Sequence, residues 1–181
     1  MRNRFATALA TAAATLLTAA LPGAAQADST SGSSGGSGGS GGWQTYTNAN
    51  YLIPAGTACT FGVQNDVVQQ DEQYRVVSTY PDGTPLETDW RGPLVVSYTN
   101  VNTGKSIIED LSGTAQFYAS PDGSGTWVSQ DHFGLTIAPG NPYHAAGLYV
   151  LTGPAVFTVS AAGTVDILAQ DQSADICRAL S

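Results

Sequence analysis

His132 and His144 are the two imidazoles of the chain, and Asp131 stands directly beside the first. Imidazole next to carboxylate is the pairing used for general acid–base work and for metal ligation. The turn Pro139-Gly140-Asn141-Pro142 lies between the two rings, so a loop there brings them together, whereas on a strand Asp131 and His132 point to opposite faces. A metal centre needs three or four convergent ligands, so the reading is of two separate, solvated loop histidines with no metal or cofactor. The adjacent carboxylates Glu109-Asp110 and Asp71-Glu72 sit at predicted strand ends. A glycosidase needs its two carboxyls opposed across a cleft, and charges at turns mainly solubilise a surface.

Other catalytic patterns are missing or incomplete. No GxSxG elbow, HExxH helix or Cys/His zinc cluster occurs. Asn102-Thr103-Gly104-Lys105-Ser106 ends like a phosphate loop, but Thr99 stands where the upstream glycine belongs and no helix follows. Asp122-Gly123-Ser124-Gly125-Thr126 lacks the closing glutamate of a calcium loop. Aromatic side chains are the surplus that speaks of interaction. Trp43, Trp90 and Trp127 fall at predicted strand edges, with Tyr46, Tyr51, Tyr80, Tyr98, Tyr118, Tyr143 and Tyr149 around them. Flat rings beside amides and carboxylates suit a sugar; the same rings also close the ends of a sandwich core. Trp90, Trp127, Tyr143, His132 and His144 therefore form the candidate ligand surface.

These residues are carried by strands. Runs rich in Val, Ile, Thr and Tyr alternate with clusters of Gly, Pro, Asp and Asn. The predicted strands are Cys59 to Val68, Tyr74 to Tyr80, Pro93 to Thr99, Ser106 to Leu111, Thr114 to Tyr118, Thr126 to Ser129, Gly147 to Leu151, Val156 to Ser160 and Thr164 to Leu168. Tyr80-Pro81-Asp82-Gly83 and Ser120-Pro121-Asp122-Gly123 place Pro where φ is fixed and Gly where φ turns positive. Asn102-Thr103-Gly104 and Ala161-Ala162-Gly163 read as hairpin connections. Ser173 or Asp175 caps a short helix ending near Leu180. The pattern predicts an all-β fold, an antiparallel sandwich or small barrel of eight to nine strands with a short C-terminal helix.

Residues 1–27 read as a signal peptide: Arg2 and Arg4, an uncharged Ala/Leu/Thr run, a Pro22-Gly23 break and Ala25-Gln26-Ala27. The run is too short and weakly apolar for a retained membrane span. Residues 28–42 are a Ser/Gly linker expected to stay disordered, and 43–181 are a single β-rich globular domain. An exported chain meets an oxidising medium, where Cys59 and Cys177, its two cysteines, most simply pair. The 139 residues of the domain carry 13 acidic against four basic side chains. Four cations are too few to track a phosphate backbone or an anionic bilayer, so the charge balance argues against nucleic acid and anionic membrane surfaces as partners.

Cys59 within Ile53-Pro54-Ala55-Gly56-Thr57-Ala58-Cys59-Thr60-Phe61, Thr99-Asn100 with Thr103-Gly104-Lys105-Ser106, Leu111-Ser112-Gly113 and Asp175-Ile176-Cys177 together resemble a group of small secreted actinobacterial proteins of unassigned function. The resemblance covers residues 52–180 and implies an exported β-domain with a terminal bridge; it brings no catalytic residues. The expected function is a secreted, non-enzymatic β-domain that binds an extracellular ligand or glycan. The alternatives are an extracellular hydrolase working through Asp131, His132 and His144 or paired carboxylates, and an isomerase-like or small-ligand barrel with an interior pocket.

Overall fold

The computed structural model describes residues 41–181; the expected signal segment and positions 28–40 of the linker lie outside them. The fold is an all-β antiparallel sandwich closed by one short C-terminal helix, as the strand pattern predicts. The strands are β1 (Gln44–Tyr46), β2 (Tyr51–Ile53), β3 (Val63–Gln70), β4 (Glu72–Thr79), β5 (Pro85–Gly92), β6 (Leu94–Asn100) and β7 (Ser106–Asp110). Then come β8 (Gly113–Ala119), β9 (Gly125–Ser129), β10 (His132–Ile137), β11 (Gly147–Val159), β12 (Val165–Asp175) and the helix α1 (Ile176–Leu180). β1, β4, β5, β8, β9, β10, β11 and β12 make an eight-stranded sheet, and β2, β3, β6 and β7 a four-stranded one.

Twelve strands exceed the eight or nine expected, for local reasons. β1 and β2 are three residues each, β5 opens on proline and carries Glu87, Asp89 and Arg91, and β10 occupies the stretch read as a loop around His132. Conversely, the two predicted strands at 147–151 and 156–160 are one strand of 13 residues, β11. Its Gly153, at φ 82°, makes a bulge opposite Asp171 instead of a chain reversal.

The pairing register simplifies the architecture. β4 pairs with β5 and β3 with β6 in an almost unbroken ladder, although one pair lies in the large sheet and the other in the small. The same holds for β5 with β8 and β6 with β7. β9 and β10 run end to end along β11. The elements are thus halves of long strands that cross from one sheet to the other at a shared corner. Along the corner Asp71 donates its amide to the Pro93 carbonyl (2.9 Å), and Leu111 donates to Leu94 (2.7 Å). Gly92 is required there: its φ is 130°, and the backbone of Asp71 and Glu72 fills the space a Cβ would take. The hairpin turns follow their residues. Gly83, Gly104, Gly123 and Gly163 all have positive φ, and the Asp82 and Asp122 carboxylates accept the amides of Thr84 and Ser124 (2.9 Å each).

β8 and β9 pair, but beyond the corner β7 and β10 part company, since β7 joins only β6 and β10 only β11. That fork lets the small sheet face the β10–β11 layer. Ile53, Val63, Val96 and Tyr98 meet Leu148 and Val150 between them, with Ile176 and Leu180 of α1 inserted at 0 % exposure. Asp175 caps α1, accepting the Arg178 amide at 2.9 Å. A second core lies on the opposite face of β11, where Leu135, Ile137, Leu151, Ala155, Phe157 and Val165 pack together. Cys59 and Cys177 are disulfide-bonded, with Cα atoms 5.3 Å apart. Cys59 lies in the turn before β3, not on the strand expected to begin with it.

Candidate functional site

Side chains two apart on a strand share a face, and paired residues of neighbouring strands share it too. Tyr46, Glu72, Tyr74, Trp90, Ala115, Phe117, Trp127, Ser129 and Phe157 therefore stand on one face of the large sheet. The rings touch in sequence. Tyr46 meets Trp90 edge-on at 5.1 Å, and Tyr74 stacks on Trp90 at 5.2 Å. Trp90 lies 6.0 Å from Trp127, which in turn lies 5.1 Å from Phe133. Phe117 and Phe157 flank Trp127 at 4.7 and 6.4 Å. Gly125 makes room for this layer, because the Phe117 ring occupies the position of its missing Cβ.

At the Phe157 end the layer merges into the second core. At the Tyr46 end it does not. No residue of β4 is fully buried, and all but Thr79 are half-buried, so this end of the layer is only partly covered by the described residues. Tyr46, Tyr74, Trp90, Phe117 and Trp127 all keep part of their surface accessible. Two polar atoms of this face, Trp90 Nε1 and Ser129 Oγ, are buried without a partner among the described residues; Ser129 itself is 1 % exposed. The opposite face of β4 and β5 is polar. There Arg75 pairs with Asp89 at 2.7 Å, and the Arg75 and Arg91 guanidiniums lie 4.7 and 3.9 Å from the Trp43 ring. Trp43 is thus clamped behind the sheet, apart from the other two tryptophans.

The aromatic run has a polar end. Asn48 donates its amide to Gln70 Oε1 at 2.7 Å, and Gln70 Nε2 returns a bond to the Asn48 carbonyl at 3.2 Å. Asn48 Nδ2 donates to Glu72 Oε2. Partial burial raises the Glu72 carboxyl above its ordinary range, against the opposing pull of that Asn48 bond.

The five residues of the candidate ligand surface fall in three places. Trp90 and Trp127 belong to the aromatic face, inside β5 and β9 and not at strand edges. His132 opens β10 at the fork, where its Nδ1 lies 3.2 Å from the Ser112 carbonyl. The fork is a shallow groove of roughly 410 Å³, with Asp110, Asp131 and His132 among its lining residues. Asp131 is committed to Thr114, accepting from its amide and hydroxyl at 3.0 and 3.1 Å. Asp110 is held below the ordinary carboxylate range by the Ser112 hydroxyl and amide, with a smaller contribution from His132. Tyr143, 61 % exposed, and His144 lie in the loop 138–146, past the far end of β10. The two imidazoles have separate partners on different elements. His144 Nε2 instead accepts the Ile167 amide at 2.8 Å and lies 3.3 Å from Asp166. Among the described residues no three His, Cys, Asp or Glu side chains converge in a way that holds a metal ion, and no helix is long and apolar enough to cross a membrane.

Tyr74 and Asn48 are not among the residues singled out by sequence, and Tyr46 and Glu72 appear there only as one aromatic among many and as a strand-end carboxylate. The available signal was the alternation Glu72-x-Tyr74-x-Val76, which puts a carboxylate and a ring on one face. No family model matches the chain, and neither a curated protein nor a solved structure matches it.

Proposed function

We propose that the protein is an exported, non-catalytic binding domain whose aromatic face holds a glycan outside the cell. The observation that carries this reading is the run Tyr46–Trp90–Trp127–Phe133, with successive centroids 5.1, 6.0 and 5.1 Å apart, whose Tyr46 end lies on strands with no fully buried residue. Aromatic faces stack on the apolar faces of pyranose rings, and neighbouring amides and carboxylates bond the hydroxyls. The disulfide and the signal-like start of the sequence support export, in line with the resemblance to small secreted actinobacterial proteins. The hydrolase alternative lacks its constellation, since Asp131, His132 and His144 do not converge. Neighbouring carboxylates such as Glu109 and Asp110 alternate faces along a strand. The ligand-barrel alternative meets two filled cores where it needs a cavity.

The test is a titration of tryptophan fluorescence with soluble oligosaccharides, for the parent protein and for Trp90→Ala. Saturable change in the parent and at least a tenfold weaker response in the variant are expected, since a stacking ring contributes about 1–3 kcal/mol. A flat response to every oligosaccharide refutes the glycan reading.

A further inference from the structure

We infer that the ligand of the aromatic face is a cationic amino sugar, an oligosaccharide of glucosamine type, whose ammonium group is received by Glu72. The inference rests on the glycan reading above and adds the chemistry that selects among glycans. Glu72 shares its face and edge with Tyr46, its partner in the β1–β4 ladder, and with Tyr74, two residues along. One carboxylate oxygen, Oε2, is taken by Asn48 Nδ2. Oε1 has no hydrogen-bond partner among the described residues and is left for a donor.

The neighbours of this oxygen fix the donor's charge. A carboxylate accepts and never donates while ionised, so it recognises hydroxyl or ammonium groups, and ammonium groups more strongly. Tyr46, Tyr74 and Trp90 pack against one another on the same sheet face, with centroids 5.1 and 5.2 Å apart, and electron-rich rings accommodate a neighbouring cation better than an anion. The two arginines of this region are engaged behind the sheet with Trp43 and Asp89, so none neutralises Glu72 from the front. The whole sequence carries a net charge of −8, which draws in cations and repels uronic or sulfated sugars.

The orientation of the rings narrows the ligand again. Successive planes turn by 84°, 50° and 57° from Tyr46 through Trp90 and Trp127 to Phe133. Along this run no plane is common to all four rings, which suits a single soluble strand better than a flat crystalline polysaccharide.

The test uses the full chain and calorimetric titration with three hexasaccharides: glucosamine, N-acetylglucosamine and glucose joined in the same linkage. The titrations are repeated from mildly acidic to neutral pH, so that the charge of the amine and that of Glu72 are both varied. Glucosamine hexamer should bind at least roughly tenfold more tightly than the acetylated one, as expected for a charge-assisted hydrogen bond. Glu72→Gln should erase that difference, and added salt should weaken the glucosamine complex alone. Should Glu72→Gln not fold, the salt dependence and the three-sugar comparison on the parent decide the matter. Equal affinity for all three sugars overturns the assignment of Glu72 and leaves the glycan reading standing. No binding of any sugar overturns both.

Discussion

Replacing Cys59 and Cys177 together by serine removes the one covalent link between the ends of the domain, and its cost can be worked out. The bridge spans 118 residues of sequence. On the loop-entropy relation, closing a loop of that size removes about 16 cal/mol/K from the unfolded chain, or ~5 kcal/mol at room temperature. The native side offers little to offset this, because the bridged residues already belong to the core around Ile176 and Leu180. Domains of this size are commonly stable by ~5–15 kcal/mol, so the variant should be marginal or unfolded. Urea unfolding of the oxidised parent, the reduced parent and the double-serine variant would measure it. Reduced parent and variant should agree with each other and fall ~3–5 kcal/mol below the oxidised form. A loss under ~1 kcal/mol would show that the denatured chain keeps its ends together without the bridge, and the entropic argument would fail.

Asn100, 2 % exposed, donates to the Leu180 carbonyl at 3.1 Å and accepts the Asn102 amide at 2.9 Å; Asn100→Ala should cost ~1–3 kcal/mol in a urea melt by stranding both groups. Phe157→Ala empties the centre of the second core and should cost ~3–5 kcal/mol, with a changed tryptophan emission because Trp127 loses a neighbour. Glu72→Gln should change the pH dependence of stability in a definite sense. The folded pKa is raised, so the parent is favoured relative to the variant at low pH and loses that margin as pH rises through the folded value; thermal melts from about pH 3 to about pH 7 would show it, and an unchanged difference across the range would contradict the burial of Glu72. Gly92→Ala should destabilise strongly, since both its φ and the Asp71 backbone oppose a Cβ.

The turns and most strands were legible because their signals are local. Pro81-Asp82-Gly83 and Pro121-Asp122-Gly123 specify reversals by their own backbone preferences, and Leu94-Val95-Val96 reads as strand without reference to anything else. The disulfide was legible because two cysteines leave one pairing. What hid β5 was its charge: Glu87, Asp89 and Arg91 look like loop residues until Arg75 is placed opposite Asp89 on the next strand. Trp90 was consequently given to a strand end. Nothing in Asp131-His132-Phe133-Gly134 reveals that β11 supplies its ladder partners, so from sequence His132 reads as a loop residue. The candidate site suffered most, since it depends on which strands are neighbours. Tyr46 and Trp90 lie 44 positions apart in sequence yet touch at 5.1 Å, and no periodicity within one segment encodes that contact.

The long bent strands also bear on how the domain is assembled. Taken as continuous ribbons through the corner, they succeed one another in space in the order in which they occur along the chain, each antiparallel to the last. No ladder has to wait for a later segment to slot between its two members. Such a meander keeps the sequence separation of its pairings low for a β protein, which favours fast folding, and each new ribbon meets the free edge left by the one before it. The exception comes last. Cys59 must find Cys177 across nearly the whole domain, so bridge formation should report completion of folding, and trapping free thiols over time would separate the zipping of the sheet from the docking of the final helix.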